Sequence, residues 1–328
     1  MKLKHLLYSG VLVSTLSAMP VLAETTLKVT LQLPLKHHLG QNLVDFKNEV
    51  ESTSNGDIKI QIFPAAQLYK DKEVHNAVSS GAIEMGVMSL TQLAGTIPAV
   101  DVFYVPFMFP SNDKVVKATE PGSPVRTLLD DEIIKTGARP LWWQAYGGVA
   151  LLSKKKPIQQ PEDMEGMKVR VFGKTLGEFA KSVGASPTVM AGSEQFLAYQ
   201  RGTVDAGMTG VTAVGPRKLY QVMNHLTLTN HANIEFMTII NEEVWQDLTD
   251  RERTILHNAA VKVEKQLRDK IQTLEADAIA NAKNEMNVIE LSPADIAKWQ
   301  EATRPVLDGF IENAGPLGQQ VIDAARAL

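Results

Sequence analysis

MKVRVFG, residues 167–173, is the stretch on which the reading of this chain turns. Met167, Val169 and Val171 alternate with Lys168, Arg170 and Phe172, the period of two that marks a β-strand. Leu176 to Val183 then reads as helix, Gly184 breaks it, and Ser186 to Met190 is extended. Strand, helix, strand is the unit of a parallel sheet. Within the strand, Arg170 shares a face with Phe172 and lies among β-branched residues. A guanidinium keeps its charge and is costly to strip of water without a partner. Arg170 therefore needs a negative group. That group is either a carboxylate of the chain, such as Glu165, Glu178 or Asp205, or the carboxylate of a ligand. The strand pattern leaves both open.

The same grammar stands upstream. Leu27, Val29, Leu31 and Leu33 alternate with polar residues, and Pro34 to Gly40 is a loop. Leu39, Leu43, Phe46 and Val50 have helical spacing, Asn55-Gly56 turns the chain, and Ile58, Ile60 and Ile62 form a second strand. A short echo ties the halves together. Gly81-Ala82-Ile83-Glu84-Met85-Gly86 follows a helical stretch from Lys72 to Ser80, and Gly202-Thr203-Val204-Asp205-Ala206-Gly207 follows another from Glu194 to Arg201. The first glycine suits a positive φ just past a helix, and the second admits a close neighbour. Two similar α/β lobes are expected. From the capping box Thr249-Asp250-Arg251-Glu252 to about Glu285 there is neither Pro nor Gly. Some 35 residues of helix span about 50 Å, enough to bridge two lobes, with a break near Ala276 as the alternative. Ser292-Pro293-Ala294-Asp295 caps another helix.

Composition removes several function classes. Lys2 and Lys4 precede a mostly apolar run over residues 6–17, and Val21-Leu22-Ala23 fits a small-residue cleavage site, as in a secretory signal peptide. An uncut membrane anchor is the alternative. Cleavage after Ala23 would leave 305 residues with 31 basic and 37 acidic side chains, a net charge of −6. No basic block suggests nucleic acid. No later apolar run reaches membrane-spanning length. The absence of cysteine excludes disulfides and thiolate metal sites. Export to a bacterial periplasm is the reading, with full secretion left open.

Enzyme signatures are missing: there is no nucleophile elbow, phosphate loop, H-E-x-x-H or dinucleotide fingerprint. His37-His38 are adjacent and are expected to point apart in an extended chain; His75 and His231 stand alone, so no metal site is expected. Asp130-Asp131-Glu132 reads as a solvated helix face. Trp142 and Trp143 point to opposite faces of a strand, so one is expected in the core and the other either in the core as well or lining a cavity. Tyr146-Gly147-Gly148 fits either a crossover between lobes or a simple turn.

Several stretches taken together resemble the DctP-like family of TRAP-transporter periplasmic solute receptors. They are QIFPAAQLYKDKEVHNAVSSGAIEM (61–85), FYVPFMF (103–109), PEDMEGMKVRVFG (161–173), VGASPTVM and SEQFLAYQRGTVDA (within 183–206). The resemblance covers almost all of the chain after the leader. It implies a type II-like binding-protein fold: two α/β lobes joined by crossing strands and a long bridging helix, with the ligand between them. On that pattern, residues 24–147 with about 236–275 form lobe 1, and 148–235 with about 276–328 form lobe 2. The resemblance also implies a carboxylate held by Arg170, no cofactor, and delivery to a membrane permease driven by an ion gradient. The receptor is expected as a monomer.

The sialic-acid branch of that family has a second arginine where Val149 stands here, an aromatic residue at Gly192, and an asparagine near Thr209. A smaller organic acid is therefore expected, with Trp143, Phe172 and Met208 as apolar walls. His38, Met88, Ser89 and Thr209 join Met208 as candidate ligand contacts, because they lie in loops at strand ends. Two rival classes remain at this point. One is a sensor module for a membrane signalling protein. The other is a hydrolase or lyase using His231 and Glu235.

Overall fold

The computed structural model describes residues 24–328, so the expected signal peptide lies outside the described residues. The first half runs β1 (Thr25–Leu31), α1 (His38–Thr53), β2 (Ile58–Phe63), α2 (Asp71–Ser79), β3 (Met85–Ser89), α3 (Asn112–Thr119) and α4 (Pro124–Ile134). A 16-residue strand, β4 (Ala138–Ser153), leads to β5 (Lys168–Val171), α5 (Lys174–Ser182), β6 (Ser186–Val189), α6 (Gln195–Arg201) and β7 (Ala206–Gly210). Then come β8 (His225–Leu228), β9 (Asn233–Asn241), α7 (Glu242–Asp247), α8 (Asp250–Lys283), β10 (Asn287–Glu290), α9 (Pro293–Thr303) and α10 (Pro305–Arg326).

Eight strands form one path, β2-β1-β3-β9-β4-β7-β5-β6, and β8, paired with β4 and β10, branches from it. Its two ends repeat each other: β1 lies parallel between β2 and β3, and β5 lies parallel between β6 and β7. Between them β9 and β4 run antiparallel. The first part of β4 pairs with β9 and its last residues with β7 and β8. These two strands therefore cross from one α/β unit to the other, which is the two-lobed architecture expected.

The echo in the sequence has a physical cause. Gly81 and Gly202 take φ of 74° and 68° as their helices end, a region that favours residues without a Cβ. The acidic residues do matching work: Glu84 accepts the Lys28 backbone N–H at 2.9 Å and Asp205 accepts that of Lys168 at 3.0 Å. Each ties the middle strand of its lobe to the start of the third. At the second glycines, a Cβ would lie 2.4 Å from Val74 Cγ1 at Gly86 and 1.9 Å from Tyr199 Oη at Gly207. The helix of each unit thus presses directly on the strand.

α8 runs unbroken for 34 residues, so the break near Ala276 does not occur. Its middle is tied to α1 and to a crossing strand: the Asn42 side chain of α1 donates to Val263 O at 2.7 Å, and Arg268 grips Glu235 of β9. Further along, Glu275 accepts the Gly148 N–H at 2.7 Å. Gly147 there has φ of 113°, at a register shift between β4 and β9, so the Gly-Gly pair marks the crossover and not a turn. The helix ends with Ala282 in a second, smaller core with Leu152, Tyr199 and Leu226.

Two surface readings are corrected by burial. Trp142 and Trp143 are both wholly in the core. Their indole N–H groups donate to Asn42 and Asp130, each at 2.9 Å. Asp130 is consequently not a solvated acid; it also accepts from Arg126 at 3.1 Å. A strand whose two faces are both covered offers no water-facing side for a tryptophan.

Candidate functional site

A small cavity of about 20 Å³ lies where the two halves of the sheet meet. That is room for about one water, so the halves are nearly shut on each other. The crossing strands supply its floor through Tyr146, Ile234 and Phe236. Tyr146 and Phe236 stack with ring centres 5.2 Å apart. The first α/β unit contributes Gln32, Asp71 and Ser89, from the ends of β1 and β3 and the start of α2. The second contributes Arg170, Phe172, Thr209 and Arg217.

Arg170 is 2% exposed. Its Nε and Nη2 donate to Met190 O at 3.2 and 3.0 Å, and Nη1 donates to Met208 O at 2.6 Å. The guanidinium sits 5.1 Å from the centre of the Phe172 ring. Neither Arg170 nor Arg217 forms an ion pair among the described residues. The carboxylates weighed from sequence are engaged elsewhere or stand away from Arg170. Glu178 pairs with Lys181, Asp205 holds a backbone N–H, and Glu165 packs beside Gly184. Carbonyl oxygens thus orient Arg170 without cancelling its charge. Burial pushes its pKa down from the ordinary value, yet a guanidinium stays charged. Three of its five N–H donors are used and two are left for the cavity.

Asp71 is 3% exposed, and its Oδ1 accepts the Ser89 backbone N–H at 3.0 Å. Burial pushes its carboxyl up to about 7, against the pull of Arg217 and Arg170. Arg217 reaches the cavity from the loop after β7 and donates to Gln32 Oε1 at 3.4 Å. The closed mouth is bridged by Lys70 and Glu194, 2.8 Å apart. Gln92 donates to the Phe172 carbonyl at 3.1 Å.

The residues expected from sequence divide cleanly. Arg170, Phe172, Ser89 and Thr209 line the cavity. Met208 and Met88 are fully buried in the core, and Met208 serves only through its carbonyl. Trp143 lies under Arg126, 5.5 Å from its guanidinium, and is no wall of the site. His38 lines a separate groove of about 650 Å³ between α1, α8 and the loop after β7. Its Nε2 meets Ala145 O at 3.0 Å, and burial pushes its pKa down to about 4. His37 and His38 do not point apart. They open α1 together, and their ring centres lie 4.2 Å apart with the planes tilted by 32°. Asp71, Arg217, Gln32 and Tyr146 were not anticipated. None carries a local sequence signal, because each comes from a different element.

The residues of the enzymatic alternative serve structure. Glu235 is held by two bonds from Arg268, at 2.8 and 2.6 Å. His231 stacks on Phe179 at 4.0 Å, contacts Thr229 at 2.7 Å, and is pushed down to about 3 by burial. Among the described residues, no group of three or more His, Asp or Glu is placed to hold a metal. Among the described residues, no helix is long and apolar enough to cross a membrane.

This fold and cleft are those of a solute-binding protein, and the comparisons agree. Residues 31–313 match the family described as bacterial extracellular solute-binding protein, family 7. The chain belongs to this family, the periplasmic solute-binding proteins of TRAP transporters, and is a binding protein and not an enzyme. It is 29% identical to the sialic acid-binding periplasmic protein SiaP of Vibrio cholerae, over 95% of each chain. It is also 29% identical to the C4-dicarboxylate-binding periplasmic protein DctP of Rhodobacter capsulatus, over 88% of this chain and 87% of that one. Among solved structures, a TRAP periplasmic solute-binding protein of Sulfurospirillum deleyianum with bound succinate superposes with a TM-score of 0.84. It shares 28% identity, over 93% of this chain and 99% of that one.

Proposed function

We propose that this protein captures a small organic acid between its lobes, with the acid's carboxylate on Arg170, and hands it to a TRAP membrane permease driven by an ion gradient. One observation carries this reading: Arg170 is buried, oriented by three carbonyl bonds, and makes no ion pair with a carboxylate among the described residues. Relatives named for sialic acid and for C4-dicarboxylates, and one holding succinate, support an acid as the ligand. Val149 is buried and paired with Gly210 on β4, so it offers no second arginine in the position used by the sialic-acid branch. The reading takes the mature chain to begin after Ala23 in the periplasm and to act as a monomer. Its lobes are residues 24–147 with about 236–275, and 148–235 with about 276–328.

The mechanism follows from where the contacts lie. Two charge-assisted bonds from a guanidinium contribute about 1.5–3 kcal/mol each. Micromolar affinity needs about 8 kcal/mol beyond the cost of immobilising the ligand. Burying about 200 Å² of apolar surface between the lobes adds roughly 5 kcal/mol. Both lobes touch the ligand only when closed, so binding shifts the population toward closure, and the permease reads that shape. A thermal-shift screen against carboxylic acids tests the proposal. A binding acid raises the melting temperature, and Arg170→Lys abolishes the shift. A screen in which only uncharged solutes stabilise the protein would refute it.

A further inference from the structure

Helix α5 opens without a cap of its own. Its cap position is Gly173, which has no side chain to accept from the first turn. The acceptor comes from far along the chain. Asp101, in the turn Pro98–Tyr104, accepts through Oδ2 the Thr175 backbone N–H at 3.3 Å and the Thr175 hydroxyl at 2.7 Å. Asp101 is 2% exposed, and a carboxyl is costly to bury unless such donors meet it. Serine or aspartate at the cap position is the usual solution. Here a Cβ on Gly173 would lie 2.2 Å from Thr91 Oγ1, in the turn Leu90–Leu93 directly after β3. The close approach of that turn excludes a local cap, and Asp101 supplies one instead.

The same turns reach the edge of the ligand cavity. Phe172, which lines it, lies one residue before Gly173. Gln92 donates to its carbonyl at 3.1 Å, and Tyr104 meets its ring edge-on with centres 5.8 Å apart. The Phe172 ring in turn stands 5.1 Å from the Arg170 guanidinium. On the division proposed above, Thr91, Gln92, Asp101 and Tyr104 belong to lobe 1, and residues 170–175 to lobe 2. Two turns of one lobe thus hold the end of the strand that bears the arginine in the other. We propose that Asp101 is a positioning residue of the receptor: it caps α5 across the lobe boundary only while the lobes are shut, fixes Phe172 and Arg170 in the closed form, and so slows ligand release. This rests on the Arg170 reading and the lobe division above.

Solvation sets the direction of the effect. With the lobes apart, Asp101 and the first N–H groups of α5 are both satisfied by water. On closure they leave water together and must satisfy each other. The positive end of the helix dipole adds to the attraction. The contact therefore stabilises the closed form and leaves the open form unchanged, which shifts the population toward closure. A ligand meets the open receptor as before, so the effect falls on release and not on association. The bridge from Lys70 to Glu194 also joins the two lobes, but both of its side chains are exposed, and exposed pairs contribute little. The Asp101 contact is dry.

The test is the distance between the lobes in the whole mature protein, read by electron-spin resonance from nitroxides on Lys72→Cys and Leu197→Cys. Both positions are exposed, one on each side of the mouth, and the chain has no cysteine of its own. Wild type, Asp101→Ala and Asp101→Asn are compared in buffer and across a titration with succinate. Asp101→Ala should lower the closed-to-open ratio at least about fivefold, the effect of one lost cap. Succinate release in stopped flow should quicken by the same factor, with association unchanged. Asp101→Asn keeps the acceptor and should stay within about twofold of the wild type. A ratio unchanged or raised in Asp101→Ala in both conditions overturns the proposal, as does an Asp101→Asn variant that falls with it. A melting temperature lowered in Asp101→Ala with the distances unchanged also overturns it, since that marks a contact fixed in both forms. Failure of the Arg170 reading shows separately, as closure by succinate that survives in Arg170→Lys. A wild type that stays open in both conditions overturns both.

Discussion

Two arginines largely shielded from water, Arg170 and Arg268, do opposite things in this molecule. Arg268 on α8 is locked to Glu235 of β9 by a two-pronged ion pair of the chain's own making. Arg126 nearby is likewise paired with Glu264 and Asp130. Arg170 has only carbonyl oxygens. A carboxylate cancels a guanidinium and finishes the structure; carbonyls aim it and leave the charge to be answered from outside. Burial of an arginine therefore does not mark a site, whereas burial without an acid does.

The comparison breaks hardest at Glu235. Its removal leaves Arg268 buried and uncompensated, so Glu235→Ala should cost about 3–5 kcal/mol of stability by urea unfolding. A loss below about 1 kcal/mol would show that the two arginines are not different in kind. Next is Arg170→Lys. An ammonium cannot form the fork, so affinity for the acid should fall at least about tenfold, or 1.4 kcal/mol. The melting temperature of the empty protein should change far less than in Glu235→Ala. Calorimetry and a melting scan on one sample separate the two effects.

Acid titration probes both regions through their histidines. His37 and His38 at the start of α1 and His231 in the core are pushed down by burial, the latter two to about 4 and about 3. The fold keeps them neutral, while the unfolded chain takes up protons below about pH 6.5. Each histidine therefore contributes a loss of stability on acidification from about 6.5 toward 4, of up to about 1.4 kcal/mol per unit, while Asp71, pushed up to about 7, works in the opposite direction. The histidine part is the difference in pH slope between the wild type and His231→Phe by urea unfolding, and identical slopes between pH 7 and 5 would contradict it. The smallest effect belongs to Lys70→Ala, which removes a solvent-exposed bridge across the closed mouth. Exposed pairs contribute little, so the melting temperature should not move measurably. A clear drop would mean that the mouth, and not the cavity, holds the lobes together.

How far the chain can be read depends on how locally each feature is encoded. The strand at Lys168–Val171, the glycine-acid echo and the 34-residue helix are local, since period, caps and breakers sit within a few residues of one another. The need of Arg170 for an outside partner was half legible: alternation showed a buried cation but not which acids stand near it. Met88 and Met208 were misjudged because β3 and β7 run on through them, so they lie inside strands and not in loops, and Trp143 because alternation assigns a residue to a face without saying what covers that face. Here core covers it. His37 and His38 were misjudged because the chain turns into α1 at that point and does not stay extended.

The sequence by itself pointed to the fold, because two repeated α/β units and a bridging helix are written in short-range patterns, and the kind of protein came from the family resemblance of several stretches taken together. The cavity is another matter. Asp71, Tyr146, Arg170 and Arg217 come from α2, β4, β5 and the loop after β7, and only the sheet order that stacks those strand ends brings them within reach of one ligand. Charge balance in a dry space depends on which groups share it, and that is fixed by packing across the chain and not by neighbours along it.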